Sequence, residues 1–292
     1  MDIIKIHAYI TAIDTGSLTR AAERLDYTTS GLSHMMNALE QEAGIPLLIR
    51  SPRGVTPTPA AEKIIPIMRD LLNTNERLEQ IISQLNGLQT GRIVIGSYTS
   101  IAEQWLAPII KNFAVAYPNI EIEICEGTHQ YLDTLLTEKR IDLCFYSYKS
   151  DYQGDWIPLA KDPLLAILPP SHPAAQQTVY RLQDCQNEDM IMSSSGADYD
   201  VLNLLRSMDI RPHIRYSTYE DCAALSLIEC GLGIGIMNEL ITKGRSSHTI
   251  KLPLEPSYSV EMGIAVPSLQ KSAPATQKFI SYTLKMLKPE SR

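Results

Sequence analysis

The chain has 292 residues, of which 44% are hydrophobic and 20% charged, so it has the composition of a folded protein of about two domains and not of a disordered or fibrous one. Its net charge of −7 argues against a general binder of polyanions, although a local basic patch is compatible with it. With no apolar run of roughly 20 residues, no signal-peptide pattern and five scattered cysteines without a CxxC pair, we expect a cytoplasmic protein with no membrane span, disulfide framework or metal site.

Two short helices are predicted at the start of the chain. Ile6, Ile10 and Ile13 repeat at i, i+4 and i+7, which is the apolar stripe of an amphipathic helix. Gly16 ends that helix, and Ser17 is a favourable N-cap for the next one.

A third helix and a strand pair complete the first 60 residues. The third helix follows a tight turn, and its inward positions are Leu32, Met36 and Leu39. Two helices joined in this way form a helix-turn-helix unit. Glycines and prolines punctuate the segment from Leu47 to Thr58, which predicts two strands whose turn bears Arg50 and Arg53, as in a DNA-binding wing.

A single long helix is predicted from Ala60 to about Leu88. Its apolar positions alternate steps of four and three, which is typical of a seam between paired helices. The seam consists of Ile64, Met68, Leu71, Asn75, Leu78, Ile82 and Leu85. Asn75 interrupts it, and a lone polar position commonly fixes the register of such a pair. We expect the seam to dimerise, with packing on its own globule as the alternative.

The remaining 200 or so residues alternate strands and helices. This order predicts a parallel sheet covered by helices on both faces, in two successive sets. The apolar strands Leu164–Leu168 and Met262–Val266 are candidates to cross between the two lobes. The last helix, Pro274 to Leu287, is predicted to return to the first lobe.

The run from Gly16 to Glu62 resembles the winged helix-turn-helix of LysR-type transcriptional regulators. Its most specific pieces are Gly16-Ser17-Leu18, Ala21-Ala22, Leu25, Leu32-Ser33, Ala38-Leu39-Glu40, Gly44, Leu47, Arg50 and Thr58-Pro59-Ala60. The second part of the chain matches the family at Tyr117-Pro118-Asn119, Glu126-Gly127, Ile141-Asp142-Leu143 and Gly231-Leu232-Gly233-Ile234. The resemblance covers essentially the whole chain.

The resemblance implies a mixed α+β and α/β architecture of three parts. These are a winged helix-turn-helix DNA-binding domain at 1–60, a linker and dimerisation helix at 61–90, and a periplasmic-binding-protein-like effector domain at 91–292. Lobe I of the effector domain is expected at about 91–163 and 268–292, and lobe II at about 164–267. The family's members bind double-stranded promoter DNA as homo-oligomers, usually tetramers, and respond to a small molecule; RNA polymerase is a candidate partner at the promoter.

The DNA-binding segment departs from the family pattern in ways that affect its target. Thr29-Ser30 stands where Gln-Pro or Gln-Ser is usual, and His34 stands where a basic residue is usual. Residues 1–60 carry a formal charge of −1. Because phosphate contacts supply most non-specific affinity, we expect weak binding to generic DNA and a reliance on dimer avidity and specific contacts.

Candidate DNA-binding residues lie on the outward face of the third helix, at its N-terminus and in the wing. Asn37 suits a bidentate pair with adenine, and His34 can donate to guanine N7 or to a phosphate. The wing arginines would meet phosphates or the minor groove. The full set is Ser17, Thr28, Thr29, Ser30, Ser33, His34, Asn37, Arg50 and Arg53.

Candidate effector-binding residues lie where predicted strands lead into helices. Small hydroxyl residues cluster at 97–100, 127–129 and 193–196, so that backbone N–H groups and hydroxyls would converge on a cleft. Because helix N-termini favour anions, we hypothesise a small anionic metabolite; the alternative is ordinary helix capping. His129 is interpreted as a surface or capping residue. The candidates are Thr99, Ser100, Thr128, Tyr146, Ser193, Ser194 and Tyr219.

Other functions have less support in the sequence. Phosphate-cradling, zinc-protease and hydrolase motifs are missing, so we predict a regulator that is not an enzyme and needs no cofactor. A transport solute-binding protein would need an export signal, and a repressor without a ligand is the third alternative. Redox sensing would use Cys222 and Cys230, but eight residues of helix separate them by about 12 Å, beyond disulfide reach.

Overall fold

The computed structural model describes residues 1–86 and 89–287. The chain forms two compact units. One holds Met1–Gly91 with Glu138–Arg140, and the other holds Arg92–Thr137 with Ile141–Arg292. In the described part, no helix is long and apolar enough to cross a bilayer.

Three helices open the N-terminal unit as predicted. They are α1 (Ile3–Thr15), α2 (Leu18–Arg24) and α3 (Thr29–Ala43). The Ser17 hydroxyl accepts a hydrogen bond from Arg20 N and the Thr28 hydroxyl accepts one from Gly31 N, so both predicted N-caps are confirmed. The predicted inward face of α3 is also confirmed, since Leu32, Met36 and Leu39 are at most 1% exposed.

The wing consists of β1 (Leu48–Ser51) paired antiparallel with β2 (Gly54–Pro57). Val55 N donates to Gly16 O at 3.0 Å, which ties β2 to the turn between α1 and α2. Gly54 has a φ of +124°, and a Cβ added there would lie 2.1 Å from Gly16 O. Only glycine allows this close approach of two backbones.

The linker is broken into two helices, so the prediction of one continuous helix from Ala60 was wrong. The short α4 (Pro59–Glu62) ends at Lys63, and α5 (Ile65–Leu85) begins two residues later. Pro66 accounts for the break, because proline lacks an N–H donor and disfavours helical backbone in the residue before it. The predicted end of the helix at Leu88 lies outside the described residues.

The C-terminal unit is a mixed α/β fold. Its α-helices are α6 (Thr99–Ile101), α7 (Ala107–Ala116), α8 (His129–Thr137), α9 (Tyr199–Ser207), α10 (Asp221–Glu229), α11 (Glu239–Thr242) and α12 (Pro274–Leu287). Its strands are β3 (Gly91–Ser97), β4 (Ile120–Glu126), β5 (Leu143–Ser147), β6 (Asp155–Leu168), β7 (Tyr180–Arg181), β8 (Asp189–Met192), β9 (His213–Ser217), β10 (Gly235–Asn238), β11 (Ile250–Glu255) and β12 (Ser259–Val266). A π-helical segment, Ala102–Leu106, joins α6 to α7.

The sheets are mixed, which corrects the prediction of a parallel sheet. The order is β4-β3-β5-β12-β6-β11-β7, with β10 also on β6. β3 pairs parallel with β5, and β8 pairs parallel with β9, but β12, β10 and β11 all run antiparallel to their partners on β6. The apolar pattern of a buried strand does not record its direction, so this could not be read from it.

The long strand β6 joins the two lobes. Its first part, Asp155–Pro163, pairs with β12, and its last part, Leu164–Leu168, pairs with β10 and β11. The crossing is thus made by β6 as a whole. Leu164–Leu168, which was predicted to cross, pairs only with β10 and β11, and Met262–Val266, the other candidate, pairs with β5 and the first part of β6. β12 also pairs with β5, so it belongs with lobe I, although residues up to 267 were predicted in lobe II.

Candidate functional site

The outward face of α3 presents the predicted polar side chains. Thr29, Ser30, His34 and Asn37 are exposed, and Ser33 is half-buried. Their exposure follows from the helical period, because the opposite face of α3 is buried in the core of the N-terminal unit. This face can offer hydroxyl, imidazole and amide groups to a nucleic acid groove.

Two of the predicted DNA-binding residues already serve as helix caps. Ser17 caps α2, with its hydroxyl 3.4 Å from Arg20 N. Thr28 caps α3 at 3.1 Å from Gly31 N, and its hydroxyl lies 3.3 Å from that of Ser30. Each cap also holds the exposed N-terminus of its helix in place.

Arg50 lies in strand β1, although it was predicted in the wing turn. Its guanidinium donates to Asn37 Oδ1 at 2.6 Å and to Ser33 Oγ at 3.3 Å, and it lies 3.7 Å from a carboxylate oxygen of Glu40. Glu40 in turn accepts from the backbone N–H of Leu47 and Leu48. The wing and α3 are therefore joined by a polar network, and the Asn37 carbonyl oxygen is already paired.

Arg53 is the exposed basic side chain of the wing turn. Its backbone N–H donates to Ser51 Oγ at 3.2 Å, which fixes the turn while the guanidinium faces solvent. The structure thus places one predicted arginine at the tip of the wing and the other against α3.

The apolar row on α5 divides into a buried and an exposed part. Ile64 and Met68 pack into the core of the N-terminal unit, and Met68 is only 2% exposed, which corrects their assignment to a dimer seam. The other apolar positions of the predicted seam lie at the surface, namely Leu71, Leu78, Ile82 and Leu85. Asn75 Nδ2 donates to Glu79 Oε1 at 2.8 Å along the same helix.

A cavity of about 210 Å³ lies between the lobes of the C-terminal unit. It is lined by residues that follow the C-terminal ends of β3, β4, β8, β9 and β10, which is where ligands bind in open α/β sheets. Five of the seven predicted effector residues line it: Thr99, Ser100, Thr128, Ser194 and Tyr219.

Two predicted effector residues do not reach this cavity. Tyr146 is 1% exposed in the core of lobe I, where its ring stacks on that of His129 with centroids 4.5 Å apart. Ser193 is also buried, and its hydroxyl donates to Asp198 Oδ2 at 3.4 Å.

His129 is a buried member of the cavity wall, which corrects its interpretation as a surface residue. It is 5% exposed, and its ring stacks between those of Tyr146 and Tyr199. Nδ1 lies 2.9 Å from the Tyr98 hydroxyl, while Nε2 has no hydrogen-bond partner within the described chain. Burial lowers the pKa of His129 to about 4, so the ring is neutral at pH 7.

Carboxylates form most of the charged lining of the cavity. They come from both lobes and are Glu126, Asp198, Asp200, Glu220 and Asp221. Burial raises the pKa of Asp200 to about 7, with a further increase from the charge of Asp198, and burial also raises the pKa values of Asp198 and Asp221. Of the lining residues within 1–86 and 89–287, none is a lysine or arginine.

The acidic lining was missed in the sequence analysis, as were the aromatic lining residues Tyr98 and Tyr199, whereas Tyr219 was predicted. Asp198, Tyr199 and Asp200 open α9, and Glu220 and Asp221 open α10, which are ordinary positions for acids near a helix N-terminus. The sequence signal that could have revealed these acids is that they recur after two strands, β8 and β9, which end at the same cleft.

Two family models match the chain. The model for the bacterial regulatory helix-turn-helix protein of the lysR family matches residues 4–62, and the model for the LysR substrate binding domain matches residues 86–288. Among curated proteins the chain is similar to YvbU of Bacillus subtilis (strain 168), an uncharacterized HTH-type transcriptional regulator. The two are 28% identical over 96% of this chain and 97% of that protein.

Solved structures share the fold over nearly the full chain. A full-length OxyR variant from Pseudomonas aeruginosa is 17% identical with a TM-score of 0.75, and the alignment covers 99% of this chain and 96% of that one. Full-length CbnR, solved in complex with its target DNA, is 17% identical with a TM-score of 0.66 over 98% and 99% of the two chains.

Proposed function

The chain belongs to the LysR family of transcriptional regulators, and we propose that it binds promoter DNA sequence-specifically under the control of a small molecule held in the effector-domain cavity. The family consists of regulators and not of enzymes. The observation that carries the proposal is the cavity itself, which lies at converging strand ends in a domain of the family's substrate-binding type.

DNA reading is assigned to the exposed face of α3, with the wing as a second contact. His34 and Asn37 present groups that can pair with base edges in the major groove. Arg50 holds Asn37 Oδ1, so the Asn37 amide is oriented before DNA arrives, and its Nδ2 remains to donate. Arg53 at the wing tip supplies a phosphate or minor-groove contact.

Pairing of two copies is assigned to α5. Leu78 is 55% exposed and Ile82 is 49% exposed, one helical turn apart on the same face. Two adjacent turns of exposed leucine and isoleucine on a helix favour a second helix as the cover. A dimer would place two copies of α3 on one operator, which compensates for the low positive charge of each.

Control by a ligand requires that the molecule bind one state of the oligomer more tightly than the other. The cavity is lined from both lobes, so its occupant contacts both and favours one arrangement of them. The usual coupling between two such sites is about 1–3 kcal/mol, or roughly 5- to 150-fold in affinity. No bond is made or broken.

Fluorescence anisotropy tests the DNA-binding part of this proposal. The full chain is titrated against DNA from beside its own gene and against a scrambled duplex, at two salt concentrations. We expect Asn37→Ala to lose discrimination between the two duplexes, and Arg53→Ala to weaken both and to reduce the salt slope by about 1.

Matched controls lie in the other unit. Asn119→Ala and Arg211→Ala remove the same types of side chain at exposed positions of the C-terminal unit, and both should bind as the unaltered chain does. Equal binding of the two duplexes, or equal losses in the test and control variants, would contradict the proposal.

A further inference from the structure

We infer that the molecule bound in the effector cavity is a small organic cation, an ammonium or guanidinium compound, and not an anion. The inference rests on the proposed function, since it names the charge of the effector at that same site. It replaces the anionic metabolite expected from the helix N-termini alone.

The charge of the lining is the first support. Glu126 enters the cavity wall from lobe I, and four further carboxyl groups enter from lobe II. The charge of Arg245 partly offsets the rise that burial causes in the pKa of Asp221, but Arg245 is paired with Glu103 at 2.9 Å and does not line the cavity. A bound anion would meet only like charge here, whereas a cation would have partners on both walls.

The N-termini of α9 and α10, two lobe II helices that begin at the cavity, are already supplied with negative charge by the chain. Asp198 Oδ1 accepts from Val201 N at 3.0 Å and caps α9, and Asp200 lies in the first turn of that helix. Glu220 and Asp221 take the equivalent positions on α10. The partial positive charge that would attract an anionic ligand is therefore compensated in both helices.

His129 gives an independent indication that a ligand belongs in this cavity. It lines the wall, is more than nine-tenths buried, and its Nε2 lacks a hydrogen-bond partner in the described chain. Buried polar atoms are nearly always paired, so the unpaired Nε2 of this cavity-lining residue leaves one hydrogen bond for a group from outside the described chain. The ring is neutral at pH 7 and adds no positive charge that would repel a cation.

Aromatic rings complete the environment of a cation. Tyr98, Tyr199 and Tyr219 all line the cavity, and the face of an aromatic ring attracts ammonium and guanidinium groups. The volume of about 210 Å³ exceeds the roughly 150 Å³ of a cavity that holds benzene, so a ligand on the order of ten non-hydrogen atoms fits.

The affinity for a cation should rise with pH between about 6 and 8. Asp200 has a pKa of about 7, raised by burial and by the charges of Asp198 and Asp162 and opposed by a hydrogen bond from Ser147. The phenol of Tyr98, whose own pKa is raised well above 10, also faces Asp200 and stays neutral in this range. A cation prefers ionised Asp200, so binding releases a proton at pH 7.

Isothermal titration calorimetry of the full chain tests the charge with four probes of one carbon length. These are 1,4-diaminobutane, 4-aminobutanoate, butanedioate and 1,4-butanediol, which are dicationic, zwitterionic, dianionic and neutral. We expect affinity to fall in the order diamine, amino acid, diol and diacid. Asp200→Asn and Glu126→Gln should each weaken the diamine by about tenfold or more and leave the diol unchanged.

Glu121→Gln is the matched control, because it removes one exposed carboxylate on β4 that does not line the cavity. Glu126→Gln keeps the test decisive should the buried Asp200 variant fold poorly, since Glu126 is exposed. Tightest binding of the diacid, binding of none of the four up to about 10 mM, or equal losses in Glu121→Gln would overturn the inference.

Fluorescence anisotropy with promoter DNA distinguishes a failure of the cationic-ligand inference from a failure of the proposed function. Without ligand, the unaltered chain and Glu121→Gln should both discriminate promoter DNA from the scrambled duplex. If specific DNA binding holds and the diamine does not bind, only the charge assignment fails; if the unaltered chain does not discriminate DNA, the regulator proposal fails.

Discussion

Replacing Asp200 by asparagine should stabilise the effector unit, and increasingly so as pH rises. Asp200 is 6% exposed, and burial raises its pKa from 3.8 to about 7. Asparagine has nearly the shape of the protonated acid and cannot ionise. The substitution therefore removes the cost of a buried charge in the protein without ligand.

The sign and size follow from the two pKa values. The folded state holds its proton more tightly than the unfolded chain, so stability is lost as pH rises above 3.8, and the loss is complete above about 7. A pKa difference of this size corresponds to about 4 kcal/mol at full ionisation. We expect the free energy of unfolding of Asp200→Asn to exceed that of the unaltered chain by about 2 kcal/mol at pH 5 and about 4 kcal/mol at pH 8.

Urea unfolding followed by tryptophan fluorescence measures this difference. The two tryptophans, Trp105 and Trp156, both lie in the C-terminal unit, so the signal reports that unit alone. Glu121→Gln controls for the loss of an exposed charge and should change stability by less than about 0.5 kcal/mol. A difference that is the same at pH 5 and pH 8, or a variant less stable at both, would refute the reasoning.

Two predictions concern the N-terminal unit. Leu78→Asp should reduce the oligomer mass measured by light scattering, because it places a charge in the exposed apolar row of α5. Gln84→Asp, at another exposed position of the same helix, is the control. An unchanged mass of the Leu78→Asp variant would show that α5 is not part of the interface. Gly54→Ala should lower the unfolding midpoint by circular dichroism and weaken DNA binding, since its Cβ would lie 2.1 Å from Gly16 O at a φ of +124°. Gly44→Ala, at a φ of +70° with open space around it, should cost only about 1 kcal/mol, and equal effects of the two substitutions would count against the contact.

The helices of the N-terminal unit could be predicted because their determinants are local. The caps at Ser17 and Thr28 and the buried face at Leu32, Met36 and Leu39 all act within a few residues of their positions. The break before α5 was also local, and the backbone chemistry of Pro66 was sufficient to predict it. The pairing of Arg50 with Asn37 joins a strand to a helix and has no sequence signal.

The position of the effector cavity could be predicted from the sequence, but the charge of its lining could not. Hydroxyl residues after strand ends located Thr99, Ser100 and Thr128 correctly, because strand ends converge in this type of fold. Burial of His129 and of Asp200 depends on elements from both lobes and is invisible in either segment alone. The electrostatic sign of the cavity is a sum over five carboxyl groups from three separate segments of the chain, and our inference of a cationic ligand follows from this sum.

The attachment of the wing has a consequence for how new DNA targets can arise. The bond from Val55 N to Gly16 O and the absence of a side chain at Gly54 set the position of the wing through main-chain atoms. His34 of α3 lies outside both this main-chain attachment and the Arg50 network that holds Asn37 and Ser33. Substitutions at His34, for example, can alter the preferred bases while the spacing between helix and wing stays constant. Single substitutions at such positions can thus change the operator preference of related regulators while the DNA-binding domain stays folded.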